Sequence, residues 1–217
     1  MAESLIERLI CDKDFAYLQP YFYNNPHALR CELGVGNEKV YISNAKKRAE
    51  DIFNILFPDG ADAIIFDYWI TDHSCCGDAD DDVCDVDACI EYAVESEAQQ
   101  LRFLLEHQRR YRHYAVSVPT YSDADEEQPG KIRRSRIVCY GDGKGFDYDA
   151  LIERQISGNG FGVGFVSFEN ECIMSVYDDR GCDIVFAVYE KMKEYYKKLE
   201  PYFLEYDLEE MERRLKG

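Results

Sequence analysis

The spacing of apolar residues predicts helices and strands in alternation through the first half of the chain. Apolar positions recur every three or four residues in three segments, residues 3–18, 42–57 and 90–110. This period is typical of amphipathic helices. Residues 28–34 alternate between apolar and polar, and residues 63–70 are mostly apolar, so both are predicted to be strands. Pro58 and Gly60 follow the second helix, at a place where a helix normally ends.

Strands predominate in the second half of the chain, and helices return at its end. Strand-like segments lie at residues 114–118, 132–140, 160–168 and 172–177. Residues 148–156 and 189–199 have helical spacing, and a last helix is expected after Asp207. Residues 172–187 form the clearest predicted hairpin, because the turn Tyr177–Gly181 separates two apolar runs.

This order of elements predicts an α+β fold, in which a mixed, mainly antiparallel sheet packs against several helices. A length of 217 residues suits a single domain over residues 1–217. Two segments without periodicity are predicted to be surface loops. They are residues 71–87, rich in Cys and Asp, and residues 121–131, rich in Asp, Glu, Pro and Gly.

Two stretches of the chain carry a resemblance to a known family. Residues 20–34 read PYFYNNPHALRCELG, and residues 177–184 read YDDRGCDI, with LEYD following at 204–207. In these motifs and their order the chain resembles a bacterial family of unknown function, the 3885 family. The resemblance is clearest at residues 172–215 and weaker at 20–57. It implies a bacterial origin and leaves the chemistry open, because the family brings no established activity.

Acidic residues outnumber basic ones by 43 to 25, so the formal net charge is −18. This charge argues against binding to nucleic acid or to an anionic membrane surface. Thirteen acidic residues and no lysine or arginine lie between residues 59 and 97. This segment is suited to a basic protein partner, which would be met by six aspartates, Asp78, Asp80, Asp81, Asp82, Asp85 and Asp87. The alternative is a solvated loop followed by the outer face of a helix.

The 71–87 loop and its flank also contain residue types that bind metal ions, namely His73, Cys75, Cys76, Cys84 and Cys89. The spacing fits no known metal site. The adjacent pair Cys75 and Cys76 breaks the Cys-x-x-Cys spacing, and an EF-hand that began at Asp78 would have Val83 in place of its glycine. The pattern therefore favours a solvated acidic loop over a metal site, and a disulfide inside the loop is a third interpretation.

Candidate catalytic residues are confined to the predicted hairpin turn and one strand. Asp178 and Asp179 could act as an acid pair with Arg180 as an anion clamp, and Glu32 on the 28–34 strand could join them. The structural alternative is a turn in which an aspartate caps backbone amides while Arg180 pairs with a neighbouring carboxylate. No histidine lies in a recognisable catalytic motif, and no glycine-rich stretch ends as a phosphate-binding loop does, so no cofactor is predicted.

The cysteine content and the first residues of the chain indicate a cytoplasmic protein. An odd count of nine cysteines, several within apolar patterns such as Cys31, Cys139 and Cys172, favours reduced and buried thiols. No basic leader with an apolar run opens the sequence. Our leading hypothesis is a non-enzymatic protein-binding module, similar to an immunity protein or antitoxin, with an acidic face for a basic partner. The alternative is a hydrolase or transferase that uses carboxylates around the YDDRG turn.

Overall fold

Seven strands form one sheet in the order β1-β7-β6-β5-β2-β4-β3. The structure is a computed structural model that describes residues 21–71, 111–119, 131–140, 147–158 and 163–216. The strands are β1 (Ala28–Glu32), β2 (Ala63–Thr71), β3 (Tyr111–Pro119), β4 (Lys131–Tyr140), β5 (Val163–Ser167), β6 (Cys172–Asp178) and β7 (Gly181–Phe186). Every pairing between these strands is antiparallel, so the sheet is more regular than the mixed sheet that we predicted.

Helices pack against this sheet, which confirms the α+β class. They are α1 (Tyr21–Asn24), α2 (Tyr41–Leu56), α3 (Tyr148–Ile156), α4 (Tyr189–Leu199) and α5 (Leu208–Lys216). Two short 3₁₀ turns, Glu200–Tyr202 and Glu205–Asp207, connect α4 to α5. The α3 helix begins where the Asp147 carboxylate accepts a hydrogen bond of 3.0 Å from the Ala150 amide.

Aromatic side chains join three of the helices to one face of the sheet. The ring of Phe53 on α2 lies 5.0 Å from the ring of Phe165 on β5 and 4.6 Å from the ring of Tyr148 on α3. The ring of Tyr195 on α4 stacks on Phe186 of β7 at 5.6 Å. Because side chains alternate along a strand, the residues next to Phe165 on β5 and to Phe186 on β7 point to the opposite face of the sheet.

The opposite face carries a row of polar and small residues across four neighbouring strands. Arg30 pairs in register with Asp183, Asp183 with Ser175, and Ser175 with Gly164. Arg30 and Asp183 are buried, and the α1 helix covers this pair, since the Phe22 amide donates a hydrogen bond of 3.0 Å to Asp183 Oδ2. We refer to Arg30, Asp183, Ser175 and Gly164 as the polar row. Buried charged groups require partners within the protein, and the candidate site is built on this row.

The free edge of β1 is covered by the chain that follows α4. Phe203 forms an isolated antiparallel bridge with Cys31, and the Leu204 amide donates a hydrogen bond of 3.4 Å to the carbonyl oxygen of Arg30. This contact protects an edge strand from pairing with another chain. It also brings the residues after α4 next to the polar row.

Most predicted elements within the described residues are confirmed. The hairpin at 172–187 and the helices at 42–57, 148–156 and 189–199 form within one or two residues of the predicted bounds. Thr71 belongs to β2, so the loop predicted at 71–87 begins one residue too early. Lys131 belongs to β4, so the loop predicted at 121–131 ends one residue too late. Several other predictions lie outside the described residues: the helices at 3–18 and 90–110, loop residues 72–87 and 121–130, the metal candidates, and the six aspartates proposed for a partner.

Cysteines within the described core are buried and unpaired. Cys31, Cys172 and Cys182 are free thiols with no exposed surface, which confirms the interpretation of Cys31 and Cys172 as small buried hydrophobic residues. Burial raises the pKa of the Cys172 thiol well above its usual value. Over the described part of the chain, no helix is long and apolar enough to cross a membrane.

Candidate functional site

A cavity of about 690 Å³ opens at the end of the sheet where the β6–β7 hairpin turns. Its floor is the polar row, because Arg30, Asp183 and Ser175 line it. The rim holds Glu32 and Arg180, two of the four residues that the sequence marked as catalytic candidates. Further lining residues come from other parts of the fold: Tyr21, Gly34, Tyr41, Tyr177 and Leu204.

A two-pronged ion pair holds the floor of the cavity. Arg30 Nε donates a hydrogen bond of 2.8 Å to Asp183 Oδ1, and Arg30 Nη2 donates one of 3.1 Å to Asp183 Oδ2. Burial lowers the pKa of Arg30, but the hydrogen bonds and the charge of Asp183 outweigh it and hold that pKa above its usual value. The charge of Arg30 is therefore balanced by Asp183 within the chain.

Aromatic rings surround the Arg30 guanidinium. Its central carbon lies 4.8 Å from the ring centre of Phe22, 4.4 Å from that of Tyr23 and 5.6 Å from that of Tyr177. Cations are attracted to the faces of such rings, and a flat guanidinium also stacks on them. The cavity thus already contains one arginine held by a carboxylate and aromatic rings.

Asp207 is a second carboxylate close to Arg30, but it has poorer partners. Arg30 Nη1 lies 3.7 Å from Asp207 Oδ2, which is too far for a good hydrogen bond. Asp207 is 5% exposed, and among the described residues its Oδ2 atom has no hydrogen-bond partner. Burial raises the pKa of Asp207, with Asp183 and Glu210 adding to the effect and Arg30 and Arg214 opposing it.

This raised pKa predicts how the Asp207→Asn variant depends on pH. The folded chain keeps the Asp207 proton to a higher pH than the unfolded chain, so the stability that Asp207 contributes is full at acidic pH and is lost as pH rises through the folded pKa. We therefore expect the stability of Asp207→Asn to improve relative to the unsubstituted protein between about pH 3 and pH 7. Urea denaturation at both pH values measures the difference.

Glu210 offers a control of opposite sign. Hydrogen bonds from Arg213 and Arg214 lower the pKa of Glu210 to about 2, so its stabilising contribution is present at neutral pH and is lost in acid. Glu210→Gln should therefore lose stability relative to the unsubstituted protein over the same rise in pH. Equal pH dependence of Asp207→Asn and the unsubstituted protein would contradict our account of Asp207.

The hairpin turn holds its own arginine. The Arg180 amide donates a hydrogen bond of 2.8 Å to Asp178 Oδ1, and Arg180 Nε donates one of 2.8 Å to Asp178 Oδ2. This is the turn geometry that we weighed against a catalytic acid pair. Asp178 is therefore the neighbouring carboxylate with which Arg180 pairs.

Glu32 differs from the other charged residues of the cavity. Arg48 Nε donates a hydrogen bond of 2.8 Å to the backbone carbonyl oxygen of Glu32 and not to the Glu32 carboxylate. Within the described residues that carboxylate has no hydrogen bond or ion pair, whereas both lining arginines are paired with aspartates. The cavity therefore has a spare negative charge at its rim.

The Tyr41 hydroxyl reports the electrostatic character of this rim. Burial raises the pKa of Tyr41, and the charges of Asp179, Asp178 and Glu32 raise it further, with the charge of Arg180 opposing them. These three carboxylates and one guanidinium carry a net formal charge of −2, so this part of the rim is better suited to a cation than to an anion.

Two glycines make room for the tyrosines of the cavity. A Cβ atom on Gly34 would overlap the ring of Tyr41, and a Cβ atom on Gly181 would overlap the hydroxyl of Tyr177. Each glycine belongs to one of the motifs that carry the family resemblance, Gly34 to the stretch at 20–34 and Gly181 to the stretch at 177–184. The motifs therefore shape the cavity as much as they shape the hairpin.

The four catalytic candidates are brought together, although only two line the cavity. Glu32 and Arg180 are lining residues, Asp178 is bound to Arg180, and Asp179 acts on Tyr41 through its charge. Within the described residues, no group of three or more His, Cys, Asp or Glu side chains could hold a metal ion. The site is therefore a polar cavity with aromatic walls.

Arg30 and Asp183, the centre of the site, are not among the residues predicted from the sequence. A signal was present, because each is a charged residue inside an apolar strand, in Leu29-Arg30-Cys31 and in Cys182-Asp183-Ile184. A charge in such a position is expected to be paired when it is buried. Opposite charges in two buried strands could have suggested the pair.

Comparison with known proteins assigns the chain to a family. The model of the domain of unknown function DUF3885 matches residues 9–207. The chain belongs to this family. The resemblance to the 3885 family is thus confirmed, and the matched DUF3885 region includes every lining residue of the cavity, from Tyr21 to Leu204. Searches of curated proteins and of solved structures found no match to the chain.

Proposed function

We propose that this chain is a non-enzymatic protein-binding module whose cavity accepts a basic side chain of a partner protein. The observation that carries the proposal is the Glu32 carboxylate, which lines the cavity and has no ion-pair or hydrogen-bond partner within the described residues. Arg30 and Arg180 are both paired with aspartates, so they leave little positive charge for an anionic ligand. A cation is the ligand that completes the site.

The charge of the whole chain supports a basic partner. A net charge of −18 attracts basic proteins over long distances and raises the rate of encounter. In its concrete form, the proposal is a bacterial cytoplasmic protein of the immunity or antitoxin type that blocks a basic toxin such as a nuclease. The acidic aspartates between residues 78 and 87 would add to the attraction, and Glu32 would provide the specific contact.

Replacement of Glu32 by glutamine tests the proposal directly. The variant keeps the size of the side chain and removes its charge, so we expect the affinity for L-arginine amide, used as a probe cation, to fall about tenfold or more. Isothermal titration calorimetry at low salt measures both affinities. The exchange should not unfold the protein, because the carboxylate has no partner within the described residues to lose.

Glu190→Gln is the matched control. Glu190 is exposed in the first turn of α4 and does not line the cavity, so the same change in net charge should leave the affinity for the probe within about twofold. If Glu32→Gln and Glu190→Gln have equal effects, the cavity does not recognise the cation and the proposal is wrong.

A hydrolase or transferase is the second candidate function, and one observation favours it. Glu32 lines the same cavity as Tyr41, so a carboxylate base and a hydroxyl proton donor share one space. A catalytic role predicts turnover of an ester or phosphoester substrate that disappears in Glu32→Gln. A binding role predicts that the ligand is recovered chemically unchanged.

A further inference from the structure

Exposed apolar side chains lie next to residues that line the charged cavity. Among the described residues, four large hydrophobic side chains are strongly exposed: Tyr23 at 60%, Val40 at 40%, Ile42 at 51% and Tyr206 at 87%. We refer to these four residues as the apolar rim. Isolated exposed apolar residues are common on protein surfaces, but a group that neighbours the lining residues of one cavity indicates an interaction surface.

Two members of the apolar rim are adjacent to Tyr41. Val40 and Ile42 flank this lining residue at the start of α2. Neither Val40 nor Ile42 belongs to the buried face of that helix, which is formed by residues such as Ala45 and Ala49. Their exposure is therefore not a consequence of an incomplete helix core.

The other two members are next to Arg30 and Leu204. The ring of Tyr23 lies 4.4 Å from the Arg30 guanidinium, and Arg30 lines the cavity. Tyr206 lies two residues after the lining residue Leu204, in the turn that ends at Asp207. The apolar rim is thus linked to the cavity from three separate parts of the chain.

We propose that the cavity and the apolar rim form one docking surface for a partner protein that inserts an arginine side chain flanked by apolar residues. This inference rests on the proposed function and adds the identity of the inserted residue and of its neighbours. A small free cation would fill the cavity and leave the apolar rim in water. A protein segment covers both, with a charged anchor at the centre and apolar contacts around it.

The cavity itself indicates arginine over lysine. Arg30 shows how this site holds a guanidinium, with two hydrogen bonds to one carboxylate and an aromatic ring centre 4.4 Å from its central carbon. Glu32, Tyr41 and Tyr177 line the same cavity, so a carboxylate and two aromatic side chains are present there for an incoming side chain. A guanidinium can use two carboxylate oxygens and the rings together, whereas an ammonium is a compact point charge.

A series of four capped tripeptides tests this inference on the full chain. The peptides are Leu-Arg-Leu, Ser-Arg-Ser, Leu-Lys-Leu and Leu-citrulline-Leu, and titration calorimetry measures their affinities. We expect Leu-Arg-Leu to bind most tightly, with about a fivefold loss for Ser-Arg-Ser because its flanks cannot pack on the apolar rim. Leu-Lys-Leu should bind about threefold or more weakly, and Leu-citrulline-Leu at least about tenfold more weakly, because it has no charge.

A variant of the apolar rim separates the two levels of the proposal. Ile42→Ser should lower the affinity for Leu-Arg-Leu about threefold and leave the affinity for Ser-Arg-Ser unchanged. If both arginine peptides bind equally well to the unsubstituted protein, the docking surface is refuted while the cation site stands. If no arginine peptide binds more tightly than the citrulline peptide, the proposed function fails as well.

A second copy of this chain is the other possible occupant of the apolar rim. Sedimentation equilibrium should show a monomer, because the acidic chains repel one another. A dimer that dissociates in Ile42→Ser would show that the apolar rim is covered by a second copy and would overturn the inference.

Discussion

Replacement of Asp183 by alanine is expected to lower the free energy of unfolding by about 3–5 kcal/mol. Asp183 is 2% exposed, accepts two hydrogen bonds from Arg30 and accepts a third from the Phe22 amide. Its removal leaves a buried guanidinium without its main counter-ion and an amide of α1 without an acceptor. Asp207 cannot replace it without movement, because its carboxylate is 3.7 Å from Arg30. Urea denaturation measures the loss.

Asp178→Ala is the matched control for this prediction. The same substitution on the same hairpin removes the partner of Arg180, whose side chain is 75% exposed. Exposed ion pairs contribute little, so we expect a loss of no more than about 1 kcal/mol. Equal losses in the two variants would contradict the view that the Arg30–Asp183 pair holds the cavity together.

The second large effect is expected for Gly181→Ala, which should destabilise the protein by about 1–3 kcal/mol. The added Cβ atom would overlap the Tyr177 hydroxyl and lie 2.7 Å from the carbonyl oxygen of Cys31. Tyr177 can swing away, but the Cys31 carbonyl belongs to the backbone of β1 and moves only if the pairing of β1 with β7 is strained. The substitution should therefore also change the shape of the cavity. Thermal denaturation measures the loss of stability.

Gly164→Ala on β5 is the corresponding control. A Cβ atom there would lie 3.3 Å from a methyl group of Ile173, and its next neighbours are at 3.6 Å or more. A small shift of one side chain accommodates it, so the change in stability should stay below about 1 kcal/mol. If Gly164→Ala is as harmful as Gly181→Ala, the effect comes from glycine loss in strands generally and not from the β1–β7 contact.

The spacing of apolar residues predicted the helices and strands well, because buried positions recur with the period of each element and are visible in the sequence. The β6–β7 hairpin has an unambiguous turn, and α2 follows a clear helical stripe that ends near Pro58. Apolar spacing does not determine which strands become neighbours. The partners of β2 lie 61–77 residues away along the chain in β4 and 97–103 residues away in β5, and no local signal specifies either pairing.

The candidate site was predicted only in part for the same reason. The sequence marked Glu32 and Arg180, which face one cavity, but it did not reveal that Arg180 binds Asp178 and leaves Glu32 free. The contact between Arg30 and Asp183 spans 153 residues of sequence separation, so it depends on the β1–β7 register. The apolar rim was not visible at all, since exposure depends on the tertiary packing around each residue.

The most direct test of the proposed arginine site is a crystal structure of the full chain bound to the capped Leu-Arg-Leu peptide. We expect the peptide guanidinium to lie in the cavity, within hydrogen-bond distance of the Glu32 carboxylate, about 3 Å. We also expect Arg30 to remain bound to Asp183 and Arg180 to Asp178. A guanidinium bound elsewhere on the surface, or a Glu32 carboxylate already paired with another residue of the chain, would contradict the proposal.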